Sequence, residues 1–166
     1  MDVIETARLR LRPLTPDDAA FIYELVNDPD WIRFIGDRKV RNLDDARAYI
    51  GRTVAMYERH GVGSLLTELK ETGEPLGICG LIRREGLDDV DIGFAFLPRH
   101  RAKGYAHEAA AAVIAHGREK LGVKRVVAIN SKDNESSARL LEKLGLRFEK
   151  VVTMPNGTEE LRLFTT

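Results

Sequence analysis

The residues best suited to chemistry lie in one run, Asp91-Ile-Gly-Phe-Ala-Phe-Leu-Pro-Arg-His-Arg-Ala-Lys-Gly-Tyr-Ala-His-Glu108. An apolar strand pattern leads into a short basic loop, and the loop opens an alanine-rich helix. The first turn of a helix leaves about four backbone N–H groups unpaired and carries about half a positive charge, so it holds an anion well. Gly104 lets a ligand approach the backbone closely, and Arg99, Arg101 and Lys103 bring positive charge to the loop. A pyrophosphate suits this arrangement. Neither GxGxxG nor GxxxxGK[ST] occurs in the run, so it encodes neither an ordinary dinucleotide site nor a P-loop.

Other reactive side chains offer less. Cys79 is the single cysteine, set in the apolar run Ile78-Cys-Gly-Leu81, and reads as a buried, inert thiol. Alone it excludes an internal disulfide and any multi-cysteine zinc site. His100 and His107 flank the basic loop, where phosphate or surface contact fits them better than acid–base work. His60 and His116 fall into no ligand spacing, so no metal site is expected.

The elements that must position this run can be read from periodicity. Ala7, Leu9 and Leu11 alternate with Arg8, Arg10 and Arg12, as in a strand with one wet face. Thr15-Pro-Asp-Asp18 reads as a helix start, with Thr15 as cap, and that helix should end near Asn27-Asp28-Pro29. A second helix opens at Asn42 or Asp44 and stops before Gly61. Ser64–Leu69 and Leu76–Ile82 form a hairpin about the turn 71–74, followed by a strand over Asp91–Leu97. The helix after the basic loop runs from about Gly104 to Leu121, burying Ala110, Val113, Ile114, Gly117 and Leu121. A short strand over Val126–Ile129, a helix over Asn134–Leu144 and a closing strand pair, Leu146–Thr153 with Glu159–Phe164, complete the order β-α-α-β-β-β-α-β-α-β-β. That order defines an α+β fold with a mixed sheet, because the early strands form hairpins and only later ones are joined through helices.

Composition sets the outer bounds. A chain of 166 residues fits a single domain spanning 1–166. Its 26 Lys+Arg balance 26 Asp+Glu, which argues against a dedicated nucleic-acid binder and against a polybasic membrane anchor. No stretch approaches the run of about 20 apolar residues that spans a membrane, and the N-terminus lacks a secretory core. A cytoplasmic monomer or homodimer is the expectation.

Arg101-Ala-Lys-Gly104-Tyr-Ala106 resembles the acetyl-CoA-binding motif [RQ]xxGx[GA] of the GNAT superfamily of N-acetyltransferases, and it sits between strand and helix as that superfamily requires. Asn134-Glu-Ser-Ser137-Ala-Arg-Leu-Leu-Glu-Lys-Leu-Gly145-Leu-Arg-Phe148 is similar to a second signature, NxxSxxLLEKxGF. The opening Glu5-Thr-Ala-Arg-Leu-Arg-Leu-Arg-Pro-Leu14 and the Gly77-Ile-Cys-Gly-Leu-Ile82 strand resemble the RimJ/RimL-like branch. The resemblance runs from about Glu5 to Phe148. It implies a mostly antiparallel twisted sheet with a splayed strand pair, flanked by helices, and acetyl-CoA as acetyl donor. It further implies that backbone of Phe94, Ala95 and Phe96 pairs with the pantetheine arm. The pyrophosphate would then rest on the loop of Arg101, on the amides of Ala102, Lys103, Gly104, Tyr105, Ala106 and His107, and Asn134 would touch the cofactor near its thioester. The same residues also have plain structural readings, core packing for Phe94 and Phe96 and a helix N-cap for Asn134.

The resemblance also frames the reaction: direct attack of a primary amine on the thioester, without an acyl-enzyme, so Cys79 has no part in it. The amine acceptor is a protein N-terminus or a small molecule. Leu141 stands where many relatives carry an acidic tyrosine, which passes the general-acid role to Ser137, itself equally readable as a helix-start serine. Asp91, heading the splayed strand, is the general base expected, or else a solvated strand-end carboxylate beside Asp88 and Asp89. Glu108 fits a structural role at the helix dipole. Trp31 and Phe34, in an aromatic stretch of loop character around Gly36, are expected to bind substrate, with Asp28, Asp30 and Asp37 available to attract a cationic amine. Two alternatives remain open: a transferase for another short acyl-CoA, and a non-catalytic acyl-CoA-binding module.

Overall fold

The computed structural model describes residues 2–166. Eight strands form one sheet in the order β1-β2-β3-β4-β5-β6-β8-β7. The strands are β1 (Ile4–Glu5), β2 (Leu9–Arg12), β3 (Ser64–Leu69), β4 (Pro75–Ile82), β5 (Val90–Phe96), β6 (Val126–Ser131), β7 (Arg147–Val152) and β8 (Leu161–Thr165). Five helices cover it: α1 (Ala19–Val26), α2 (Pro29–Phe34), α3 (Leu43–His60), α4 (Tyr105–Lys120) and α5 (Glu135–Lys143). All neighbouring strands are antiparallel except β5 and β6. The mixed α+β architecture expected from the sequence is the one observed.

Local chemistry accounts for the boundaries. Thr15 and Asp18 form a capping box, and Pro16 opens a 3-10 turn that leads into α1. The Asn42 side chain accepts from Asp45 N–H at the start of α3, and Gly61 ends that helix at φ 74°. Leu9 and Leu11 of β2 are fully buried, while Arg8 and Arg10 are exposed. The two sheet faces bury separate cores. One packs β4 and β5 on α4 through Cys79, Leu81, Ile92, Phe96, Val113 and Ile114. The other packs Leu66 and Ile78 on α1 and α3 through Ile22, Leu25 and Ile50.

Four expectations need correction, the first being the burial of Leu121, which lies past the end of α4 at Lys120 and is 44% exposed. The first strand begins at Leu9, and the separate short strand β1 pairs back on it, Ile4 opposite Leu11. The aromatic stretch 30–35 is largely helix rather than loop: Asp28 accepts from Asp30 N–H and Pro29 occupies the first turn of α2, a cap-and-proline start compressed into two residues. The closing strands also pair as expected, but β8 inserts between β6 and β7. Periodicity within a strand carries no information on such neighbour order.

Candidate active site

The β5–β6 pair is where the sheet opens. The two strands share register only at Val90↔Val126 and Asp91↔Val127, then separate. β5 stays paired to β4 as far as Phe96, opposite Gly77. Beyond Asp91, then, the β6-facing edge of β5 presents unpaired backbone. A Cβ on Gly77 would lie 2.2 Å from Ala95 O, so only glycine lets β4 lie against β5 here.

The basic loop closes the wide end of this opening. Ala102 and Gly104 both have left-handed backbone, φ 60° and 82°, which turns the chain so that successive N–H groups converge. The first bond of α4 runs from Glu108 N–H to Gly104 O, 3.1 Å. Among the described residues, the amides of Ala102, Lys103, Gly104, Tyr105, Ala106 and His107 have no protein acceptor. Six consecutive free donors at a helix N-terminus fit a diphosphate. The loop is held from behind. Glu108 accepts from the Thr6 hydroxyl and from the backbone N–H and Nε of Arg8, while Arg8 Nη1 donates to Lys103 O at 3.0 Å and stacks on Tyr105. Burial opposes ionisation of Glu108, but these hydrogen bonds outweigh it and lower its pKa. Glu108 is thus a structural clamp.

The charge expected of this loop is smaller than its composition suggests. Arg99 pairs with Glu24, and Arg101 donates to Phe96 O and pairs with Asp30 and Asp28. Arg101 therefore braces the end of β5 with its side chain. Lys103 keeps its charge unpaired among the described residues. His100 is buried, 3.5 Å from Glu74, and burial lowers its pKa; His107 is exposed.

On the opposite flank, Asn134 caps α5: its side-chain oxygen accepts from Ser137 N–H at 3.2 Å. The Ser137 hydroxyl accepts from Asn130 Nδ2 at 3.3 Å, and Asn130 Oδ1 in turn accepts from Arg162 Nε at 3.1 Å. A hydroxyl whose lone pair is engaged this way has its own proton free to donate. Leu141 is 1% exposed and packed in the core. Cys79 is fully buried, and burial pushes its thiol pKa up.

Asp91 is not the solvated strand-end carboxylate of the alternative reading. It is 1% exposed, its Oδ2 accepts from Arg84 Nε at 2.6 Å, and its buried Oδ1 has no hydrogen-bond partner. Burial pushes its pKa up, against the charge and hydrogen bond of Arg84. The acids proposed to attract an amine are engaged elsewhere. Asp28 and Asp30 hold Arg101, while exposed Asp37 lies outside the cavity, its pKa lowered to about 2 chiefly by the Arg41 hydrogen bond.

One cavity of about 1190 Å³ joins these parts. Its wall includes Phe94–Phe96, Arg101, Ala102, Gly104–His107, Asn134 and Ser137, together with Asp91, Tyr49, Arg84, Trp31 and Phe34. Lys103 is the one predicted cofactor residue whose side chain does not reach it. Trp31 also packs into the second core, so its two readings hold together. Asn130, Arg162, Tyr49 and Arg84 escaped the sequence reading. Asn130 follows an apolar strand and Arg162 lies 32 residues away, so no spacing links them.

A fold with an open strand edge beside a bare helix N-terminus is that of an acyl-CoA N-acyltransferase. A family model described as an acetyltransferase (GNAT) domain matches residues 8–147, and the chain belongs to that family. It is 31% identical over 162 residues to a Bacillus subtilis protein termed an uncharacterized N-acetyltransferase, YoaA, covering 94% of this chain and 90% of that one. It shares 31% identity over 150 residues with YkkB of the same organism, covering 89% and 86%. The structure of an acetyltransferase from Agrobacterium tumefaciens superposes with TM-score 0.85 at 25% identity, covering 100% of this chain and 94% of that one. RimL, a ribosomal L7/L12 alpha-N-protein acetyltransferase solved with coenzyme A, has the same fold at TM-score 0.85 and 14% identity, covering 99% and 97%. Among the described residues no group of side chains is arranged to hold a metal ion, and no helix is long and apolar enough to cross a membrane.

Proposed function

We propose that the protein transfers the acetyl group of acetyl-CoA to a primary amine by direct attack of the amine on the thioester. The observation that carries this reading is the row of six unpaired amides from Ala102 to His107, opening onto the free edge of β5. Those amides hold the diphosphate, and the backbone of Phe94, Ala95 and Phe96 pairs with the pantetheine arm. Arg101 supports that edge from behind by its bonds to Phe96 O. Coenzyme A in the RimL structure supports the same use of this fold.

Two side chains handle the protons. An alkylammonium nitrogen loses two of them as its N–C bond forms and the C–S bond breaks. Asp91 Oδ1, buried and unpartnered, accepts one. A carboxylate is a stronger base where burial raises its pKa, as here. The other passes to Ser137 Oγ as Ser137 hands its own proton to the departing thiolate, which leaves the hydroxyl restored, with Asn130 fixing the rotamer. Arg162 fixes Asn130 in turn, so both are positioning residues. Trp31 and Phe34 form the apolar wall beside the acceptor amine.

The test is release of free thiol from acetyl-CoA by the purified protein against a panel of amines and peptide N-termini. Amine-dependent thiol release is expected. CoA binding with the thioester intact on every amine would leave only a non-catalytic acyl-CoA-binding module, and no CoA binding by folded protein would remove both readings.

A further inference from the structure

The cavity wall carries an imbalance of charge that the acetyl donor does not explain. Five carboxylates line it, and each is held in an ion pair: Asp28 and Asp30 by Arg101, Asp91 by Arg84, Asp133 by Arg33 and Glu135 by Arg162. Five cations line the same cavity with no ion pair among the described residues: Arg139 and Lys143 on α5, and, away from that helix, Arg38, Arg52 and Arg83. These three are remote from the phosphate loop in the chain. They come from the α2–α3 connection, from α3, and from the segment after β4.

Their placement is specific. The Arg52 guanidinium lies over the Tyr49 ring, 5.9 Å from its centre. Burial holds the Tyr49 phenol protonated, and the charges of Arg38, Arg84 and Arg52, from three separate elements, act against that. Beside them Asp91 Oδ1 is buried with no partner. A cavity that offers one unpaired buried carboxylate oxygen near the unpaired guanidiniums of Arg38 and Arg52 matches a molecule with both an ammonium and an oxyanion. Guanidinium forks suit carboxylate and phosphate in particular.

We propose that the acceptor is an amine that also carries an oxyanion, a carboxylate or a phosphate, bound by Arg38 and Arg52 while its amine meets Asp91. This rests on the acetyltransferase reading. It excludes polyamines as preferred acceptors, since a second ammonium would face those arginines and be repelled. The diphosphate site is built from different groups, the backbone amides of Ala102 to His107.

The experiment compares matched acceptors: 6-aminohexanoate against hexylamine for the carboxylate, O-phosphoethanolamine against ethanolamine for the phosphate, and 1,6-diaminohexane as the dication. The expected result is kcat/KM at least about tenfold higher for one anionic member than for its neutral partner, the dication lowest, and that ratio collapsing in R38Q/R52Q. Thermal unfolding and CoA affinity of the variant report that fold and donor site are intact; if the double variant does not fold, the single variants R38Q and R52Q carry the same comparison. Preference for hexylamine or the diamine, or a ratio unchanged in the variant, overturns the proposal. If no amine is acetylated, the transferase reading fails separately, and calorimetry of 6-aminohexanoate and O-phosphoethanolamine on the CoA-loaded protein decides the anion site. Binding weakened about tenfold in R38Q/R52Q upholds it; no binding of either overturns it.

Discussion

The two walls of the cavity are built from different material. The donor wall is backbone: the open edge of β5 and a row of amides from Ala102 to His107, contributed by one contiguous stretch of chain. The wall proposed for the acceptor is side chain: Tyr49 and Arg52 from α3, with Arg84 and Asp91 from the two ends of the β4–β5 connection. Even the cations differ. In the basic loop Arg99 and Arg101 are spent on internal pairs and Lys103 is left unpaired, whereas Arg38 and Arg52 near Tyr49 both have no ion pair among the described residues. Backbone recognition tolerates change in most side chains and fixes one ligand. Side-chain recognition lets the same fold be retuned for different acceptors.

The sharpest way to break this contrast is Gly104→Trp. Gly104 has φ 82°, a backbone conformation that side chains rarely adopt, and its Cβ position is 3.3 Å from Arg8 Nη2, so a bulky side chain strains the loop that presents the amides. We expect CoA binding to vanish in calorimetry while circular dichroism stays native. Ser137→Ala should be next in size: kcat falling about 10- to 100-fold with CoA affinity held, the low end of general-acid effects because a thiolate is a weak base. Asn130→Ala should cost less, and the two together little more than Ser137→Ala alone, because both act through one hydroxyl.

Asp91→Asn separates activity from stability. Since burial raises the Asp91 pKa in the folded state, the protonated form contributes stability below its ordinary value of 3.8, and that contribution is lost as pH rises through the folded value. The variant, neutral throughout, should therefore melt above wild type at pH 8, with the gap closing below about pH 4, while kcat/KM drops. Equal melting at both pH values would show that Arg84 fully compensates the burial. The smallest effect belongs to Glu108→Gln, outside the chemistry: we expect Tm lower by about 2–4 °C and kcat nearly unchanged.

Much of the donor wall was legible in sequence because its determinants are local. Helix caps, the left-handed Gly104 and the strand-loop-helix order all act within a few residues, so Asn42, Gly61 and Asn134 fell where their side chains and φ angles require. The acceptor wall was not legible. Acidic Asp28, Asp30 and Asp37 suggested a site for a cation, and their partners, Arg101 and Arg41, turned out to hold them. Composition shows which charges exist but not which are already paired.

The sequence by itself determined the family, most of the element order and the loop of free amides, since a backbone nest needs only its own residues in the right order. Tertiary structure alone decided the order of β8 and β7, the burial of Asp91 against Arg84, the Arg162–Asn130–Ser137 chain and the free guanidiniums around Tyr49. Each of these joins residues from separate elements. Their contact energies depend on distances that chain spacing does not encode.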